Sequence, residues 1–251
     1  MKLALFGYGR MGKVVEEIAE ERGHEVTLRV DARTAGADES ITPESLAGAR
    51  TAVDFSVADA VLPHVRRAAE LELNIVIGTT GWERDRFEVE AVVRESGIGL
   101  LHAPNFSIGM LLFTRIVESA ARLLNPVEDY DLHLWEAHHR HKVDHPGGTA
   151  VHLAELLVRE MGRKDGWSTD LPEGATVDPR ILQVAVSRVG EVPGVHGVGF
   201  EGPDDRIELQ HRARNRRGFA RGAVIAAEWL EGRSGLHTMN DLLDDLTGTS
   251  Q

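Results

Sequence analysis

His138, His139, His141 and Lys142 fall within five consecutive residues, and Pro146, Gly147 and Gly148 follow a few positions later. Imidazoles exchange protons near neutral pH, and an ammonium group is a proton donor and a point charge. After the Pro-Gly-Gly turn, Val151, Leu153, Ala154, Leu157 and Val158 recur at helical spacing. The N–H groups of Gly148, Thr149 and Ala150 open that helix without intrahelical acceptors, and such helix starts attract anions. The chemistry this pattern offers is proton transfer beside a bound carboxylate or phosphate. Two other readings compete with it. One is a solvated turn. The other is a metal site, which lacks a His-x-x-x-His pair and any cysteine ligand, although His139 and His141 could take up an ion.

The elements that position this cluster are legible around it. Tyr130 to Trp135 alternates apolar and polar residues and reads as a strand, so the cluster lies where a strand ends and a helix begins. The chain has 251 residues, enough for one large or two modest domains. A formal charge of -12 argues against nucleic acid as a partner, which needs a basic face. Cysteine is absent, which excludes disulfides and thiol catalysis. There is no long apolar run and no signal-peptide pattern. The expectation is a cytoplasmic protein with no membrane span.

A second chemistry-bearing stretch opens the chain. Lys2 to Phe6 is a short apolar strand, and Gly7, Tyr8, Gly9, Arg10, Met11 and Gly12 follow at once. Met11, Val14, Val15, Ile18 and Ala19 then repeat with helical period, and Glu25 to Val30 is a strand ending at Asp31. Strand, Gly-x-Gly-x-x-Gly, helix, strand and terminal acid form the dinucleotide-binding pattern. Asp31 suits a free ribose 2′-hydroxyl and Arg33 a 2′-phosphate, so the expected cofactor is NADH, NADPH or both. Strands and helices continue to alternate through Thr51–Phe55, Ala58–Leu71, Asn74–Ile77, Arg84–Glu95 and Ile98–His102. That order predicts a doubly wound parallel sheet with ligands outside the strands' carboxyl ends. Gly78, Thr79 and Thr80, with Ala103, Pro104, Asn105 and Phe106, therefore flank the nicotinamide end.

The second half changes character. A long apolar helix spans Ile108 to Leu124, and residues 163 to 180 read as a mobile loop. Ile181–Arg188, His196–Glu201 and Arg206–Ala213 join Tyr130–Ala137 in a four-stranded mixed sheet with an exposed face suited to oligomerisation. Phe219–Leu230 and a short last helix, Leu236–Leu246, are expected to return to the nucleotide domain. The reading is an α/β protein. Its discontinuous dinucleotide-binding domain takes residues 1–106 and 216–251, and a smaller α+β domain for substrate and oligomerisation takes 107–215.

Taken together, these residues resemble the 4-hydroxy-tetrahydrodipicolinate reductase (dihydrodipicolinate reductase) family. The resemblance runs through Gly7–Gly12, Asp54-Phe55-Ser56, Gly78–Gly81, Pro104–Ser107, Glu136–Asp144, Arg188 with Gly190, Gly194 with His196, and Phe219–Ala223. It implies NAD(P)H-dependent reduction of a cyclic dicarboxylate in lysine biosynthesis, commonly by a homotetramer. It also implies His138 as proton donor/acceptor, Lys142 as general acid, and His139, Gly148 and Thr149 as the carboxylate site. A cationic Lys142 beside imidazoles would supply the proton after hydride addition. His145 and Gly147 stand where the family usually has Ala and Ser. Restoring the hydroxyl by Gly147→Ser is expected to lower the substrate KM. An oxidoreductase acting on another small anion and a non-catalytic nucleotide sensor are the alternatives.

Overall fold

The computed structural model describes residues 1–31, 37–171, 173–174 and 176–248. Arg33 lies outside the described residues. The chain divides into two compact units, Met1–Ile108 with Arg216–Gln251, and Gly109–Asn215.

The first unit is a six-stranded parallel sheet. Its strands are β1 (Lys2–Phe6), β2 (Glu25–Val30), β3 (Thr51–Asp54), β4 (Asn74–Ile77), β5 (Gly99–His102) and β11 (Gly235–His237), in the spatial order β11-β5-β4-β3-β1-β2. Central strands in such a sheet are covered on both faces, so they are continuously apolar. Leu3 to Phe6 and Ile75 to Ile77 are each no more than 1% exposed. The helices α1 (Arg10–Glu21), α2 (Pro43–Leu46), α3 (Ala58–Glu70), α4 (Arg86–Ser96), α7 (Arg217–Leu230) and α8 (Met239–Thr247) complete the unit. On α1, Val15, Ile18 and Ala19 are fully buried, a one-sided stripe that fixes its seat on the sheet. Burying each of the two larger side chains contributes about 1.5–3 kcal/mol. Helix α7 packs on α1, β3, β4 and β5, and its Gly222 has no room for a side chain: a Cβ would lie 1.7 Å from the Phe106 carbonyl.

Strand β11 was not expected. The stretch beginning at Leu236 reads as helix, but Gly235–His237 pairs in parallel with Gly99–Leu101, and the helix starts only at Met239. Thr238 sets that start, because its side chain accepts from Asp241 N–H while Asp241 accepts from Thr238 N–H.

The second unit is a mixed five-stranded sheet ordered β10-β9-β6-β8-β7. Its strands are β6 (Asp131–His138), β7 (Gly166–Ser168), β8 (Ile181–Arg188), β9 (Val195–Glu201) and β10 (Arg206–Arg212). Helices α5 (Ile108–Leu124) and α6 (Gly148–Glu160) supply Met110, Phe113, Val117, Leu153 and Leu157 to its core. The fifth strand, β7, corrects the expected four and falls within the stretch read as a loop. Its anchor is Lys164, 5% exposed, whose ammonium donates to Asp131 Oδ1 and Pro179 O, each at 2.6 Å. Among the described residues, no helix is long and apolar enough to cross a membrane.

Candidate active site

At the end of β1 the chain turns at Gly7, whose φ of +91° suits glycine. A Cβ there would lie 2.3 Å from the Phe55 carbonyl, and one on Gly12 would lie 2.3 Å from the Gly7 carbonyl. Two glycines thus let the turn close onto β3 and let α1 close onto the turn. Gly9 differs, since a Cβ on it would meet nothing within 4 Å, and it caps α1 without a side-chain hydrogen bond. The helix start therefore has open space beside it and no side-chain cap, which fits a pyrophosphate. Tyr8 is tied by its hydroxyl to Glu16, which also accepts from Arg29. Hydrogen bonding to that carboxylate raises the Tyr8 phenol above its ordinary value.

Beside this turn lies a cavity of about 290 Å³ lined by Met11, Phe55, Ser56, Val57, Gly78, Thr79 and Thr80. Met11, Gly78, Thr79 and Thr80 were expected from the sequence. Phe55, Ser56 and Val57 were not, although they follow a strand end and so occupy the predicted ligand side of the sheet. Gly78 is needed because the Phe55 ring fills its side-chain position, 2.1 Å from where a Cβ would stand. Ala103 and Phe106 are buried nearby, with the Phe106 ring edge-on to Phe55 at 6.0 Å, but they do not line the cavity. Asn105 Oδ1 accepts from Ser107 N–H at 2.8 Å and so shapes the turn after β5, while Pro104 is exposed. Asp31 stands exposed after β2, and Arg10 is exposed on the glycine turn.

The His cluster in the second unit is organised by an acid. On β6, Leu132, Leu134 and Glu136 alternate onto the buried face, and Glu136 is 1% exposed. Strand register sets its company: Glu136 is opposite His196 on β9, and His138 is opposite Arg188 on β8. Arg188 donates to Glu136 Oε1 at 2.7 Å, and Gly147 N–H donates to the same oxygen at 2.9 Å. His138 Nδ1 and His196 Nε2 lie 3.3 and 3.5 Å from Oε2. Burial alone would raise the Glu136 carboxyl. The His138 and His196 rings, the Arg188 guanidinium and the Gly147 N–H outweigh it and hold the group well below the usual carboxylate range. Glu136, Arg188 and His196 were not singled out as site residues. The available signal was an acid continuing an apolar alternation.

Lys142 does not pair with the imidazoles. Its ammonium donates to both oxygens of Asp144, at 2.7 and 2.8 Å, and this contact lowers the Asp144 carboxyl despite partial burial. The lysine stem crosses Gly147, where a Cβ would fall 2.9 Å from Lys142 Cε and 3.0 Å from Glu136 Oε2. Gly147 caps α6 with no side-chain hydrogen bond, so Gly148 and Thr149 open the helix beside Lys142. His139 lies at the end of the same strand, and its ring stands 6.0 Å from that of His141. The start of α6, Lys142 and the Glu136-held His138 are thus brought together around Gly147, forming one donor-rich group.

The first unit is an NAD(P)-binding Rossmann domain, and the donor-rich group in the second is suited to an anionic substrate. Together they define a dinucleotide-dependent oxidoreductase. The chain belongs to the dihydrodipicolinate reductase family, matching its N-terminal part over residues 1–106 and its C-terminal part over 109–243. It is 34% identical to the 4-hydroxy-tetrahydrodipicolinate reductase of Christiangramia forsetii over 246 residues, 98% of this chain and 99% of that protein. It is 33% identical to that of Neisseria gonorrhoeae over 271 residues, 97% of each. Among solved structures, the dipicolinate-bound dihydrodipicolinate reductase of Paenisporosarcina sp. TG-14 superposes with a TM-score of 0.75. It is 22% identical, covering 95% of this chain and 97% of that one.

Proposed function

We infer that the chain reduces 4-hydroxy-tetrahydrodipicolinate with NAD(P)H, the oxidoreductase step of its family in lysine and diaminopimelate biosynthesis. The observation that carries the reading at residue level is the Glu136-centred group at the end of β6, where Lys142, His138 and the start of α6 converge.

The nicotinamide cofactor, when bound, supplies a hydride. Gly7, Tyr8, Gly9, Arg10, Met11 and Gly12 hold its pyrophosphate, and Asp31 its adenine ribose. Gly78, Thr79, Thr80, Ala103, Pro104, Asn105 and Phe106 flank the opposite end. Arg33 would serve a 2′-phosphate, so that both NADH and NADPH would be accepted.

The second unit holds the dicarboxylate. His139 and the N–H groups of Gly148 and Thr149 take one carboxylate, which the helix start favours by its partial positive charge. Dipicolinate, bound by the solved relative, has the same pair of carboxylates. Hydride addition to a conjugated imine leaves electron density on the ring, and a proton must follow. Lys142 Nζ donates that proton, and His138 acts as proton donor/acceptor beside it. A positioned acid of this kind contributes about 10²–10⁴-fold. Asp144 and Gly147 fix the ammonium, and Glu136 fixes the His138 ring.

No metal takes part in this reading. Glu136, His138 and His196 offer ligand atoms within 4.8 Å of one another, but the carboxylate charge is already met by Arg188 at 2.7 Å. The unit's second sheet face, where Trp135 stacks on His133 at 5.2 Å above Gly197 and Gly199, is the surface through which a homotetramer forms. Light scattering at several concentrations checks that mass.

The reaction is tested by loss of reduced-nicotinamide absorbance with NADH and NADPH in parallel, the substrate being formed in situ from pyruvate and aspartate semialdehyde by a synthase. Synthase-dependent oxidation of both cofactors is expected. Tight NADH binding without oxidation would overturn the substrate assignment.

A further inference from the structure

A second buried carboxylate, Asp54, lies in the first unit and has no part in the reading above. It is the last residue of β3 and is fully buried, as is His64 on α3, whose Nδ1 lies 2.7 Å from Asp54 Oδ2. The other oxygen, Oδ1, gathers Ser56 N–H at 2.9 Å, the Ser56 hydroxyl at 2.6 Å and the Thr79 hydroxyl at 2.7 Å. Ser56 N–H also reaches Thr79 Oγ1 at 2.8 Å. One carboxylate therefore ties the loop after β3 to the loop after β4, and both loops line the 290 Å³ cavity.

The direction of these bonds decides what the cavity can recognise. A carboxylate only accepts, so both hydroxyls must direct their protons inward to Asp54. Thr79 Oγ1 also accepts from Ser56 N–H, and with its proton directed to Asp54 it has none for the cavity. Ser56, partly exposed, is left with lone pairs on its oxygen and no proton for the cavity. An anionic group would meet an acceptor there, whereas a sugar hydroxyl or a carboxamide N–H would find a partner.

Sheet order says which part of a dinucleotide this is. The glycine turn follows β1. Beside β1, β2 carries Asp31 on one side, and β3 followed by β4 lies on the other. With the pyrophosphate at the glycine turn and the adenine ribose at Asp31, the nicotinamide nucleotide extends toward β3 and β4.

We propose that Asp54, backed by His64, is a positioning residue for the nicotinamide half of the cofactor, and that the acceptor it leaves on Ser56 receives a hydrogen bond from the nicotinamide ribose or carboxamide. The proposal rests on the dinucleotide reading of this unit.

The test is a fluorescence titration of the full chain with NADH, with ADP-ribose measured by competition, in wild type, Ser56→Ala and Asp54→Asn. ADP-ribose keeps the adenosine and pyrophosphate but lacks the nicotinamide. Loss of one hydrogen bond predicts about fivefold to tenfold weaker NADH binding in Ser56→Ala, with ADP-ribose affinity held within about twofold. Ser56→Thr, which keeps the hydroxyl, restores the affinity. Asp54→Asn places an amide where His64 donates and shows the same split more strongly. If that buried substitution does not fold, the Ser56 pair decides the matter alone. Unchanged NADH binding in Ser56→Ala, or equal losses for NADH and ADP-ribose, would overturn the proposal. A wild type that binds neither ligand would instead overturn the dinucleotide reading on which it rests.

Discussion

Two buried carboxylates, each near the carboxyl end of a strand, organise the two units in opposite ways. Asp54 is surrounded by two hydroxyls, one imidazole and one backbone N–H, and the group it leaves toward the cavity is an acceptor. Glu136 gathers the Arg188 guanidinium, two imidazoles and the Gly147 N–H, and its neighbours Lys142 and the start of α6 are donors. The same side-chain chemistry thus produces an acceptor site suited to a sugar or amide and a donor site suited to a carboxylate. The difference lies in the partners, the Arg188 guanidinium at Glu136 against the Ser56 and Thr79 hydroxyls at Asp54, and register brings Arg188 to Glu136.

The comparison breaks most sharply at Lys142. Lys142→Ala removes the proposed proton donor and should lower kcat by about 10²–10⁴-fold. NADH affinity, which the proposal assigns to the other unit, should stay unchanged by fluorescence titration. Near-normal kcat would remove Lys142 from proton transfer.

Next comes Glu136→Gln, which leaves Arg188 facing a neutral amide. Breaking a buried pair costs about 3–5 kcal/mol, and the 16% exposure of the Arg188 side chain puts the expected loss at the lower end. Urea unfolding at pH 7 measures it. The pH dependence carries a sign. Glu136 is held below its unfolded value, so its contribution is present above about pH 4 and is lost as the pH falls further. His211 is lowered by burial and by His196, so it adds instability as the pH drops below about 6.5. Wild type should lose stability in both windows. Glu136→Gln should lose less than wild type in the lower one, where Asp144 and Glu228 still contribute, and lower limbs of equal steepness in the two proteins would contradict this.

Gly147→Ser sharpens the same region with a smaller effect, and here the structure adds a steric cost to the expectation drawn from family resemblance. The space beside Gly147 is taken by Lys142 and Glu136, so a side chain there displaces the lysine, the more flexible of the two. A fall in kcat of about tenfold, with no gain in KM, is expected from a misplaced acid. A lowered KM at unchanged kcat would restore the hydroxyl argument. The smallest effect belongs to Asp31→Ala, which should weaken NADH by about threefold to tenfold and NADPH less, since one ribose contact is lost. Equal losses would refute the ribose assignment.

How much of this was legible follows from distance along the chain. The glycine turn, its helix and the strand ending at Asp31 are local, and periodicity exposed them. His138, Lys142 and the start of α6 are also neighbours in sequence. Glu136 meets Arg188 and His196 only through the pairing of β6 with β8 and β9, 52 residues away in the case of Arg188, so its role was invisible until register was known. Strands β7 and β11 have three residues each, too few for alternation to register, and a buried lysine or a neighbouring edge creates them. The Asp54 network joins residues 2, 10 and 25 positions apart, and a motif of three residues gave no hint of its direction.

The central claim is that the two carboxylate-centred clusters sort the two ligands, and calorimetric titration with dipicolinate tests it most directly. Wild type should bind dipicolinate, His139→Ala should weaken it by about tenfold or more through loss of a charge-assisted bond, and Ser56→Ala should leave it unchanged. Dipicolinate binding that ignores His139 and depends on Ser56 would contradict the account.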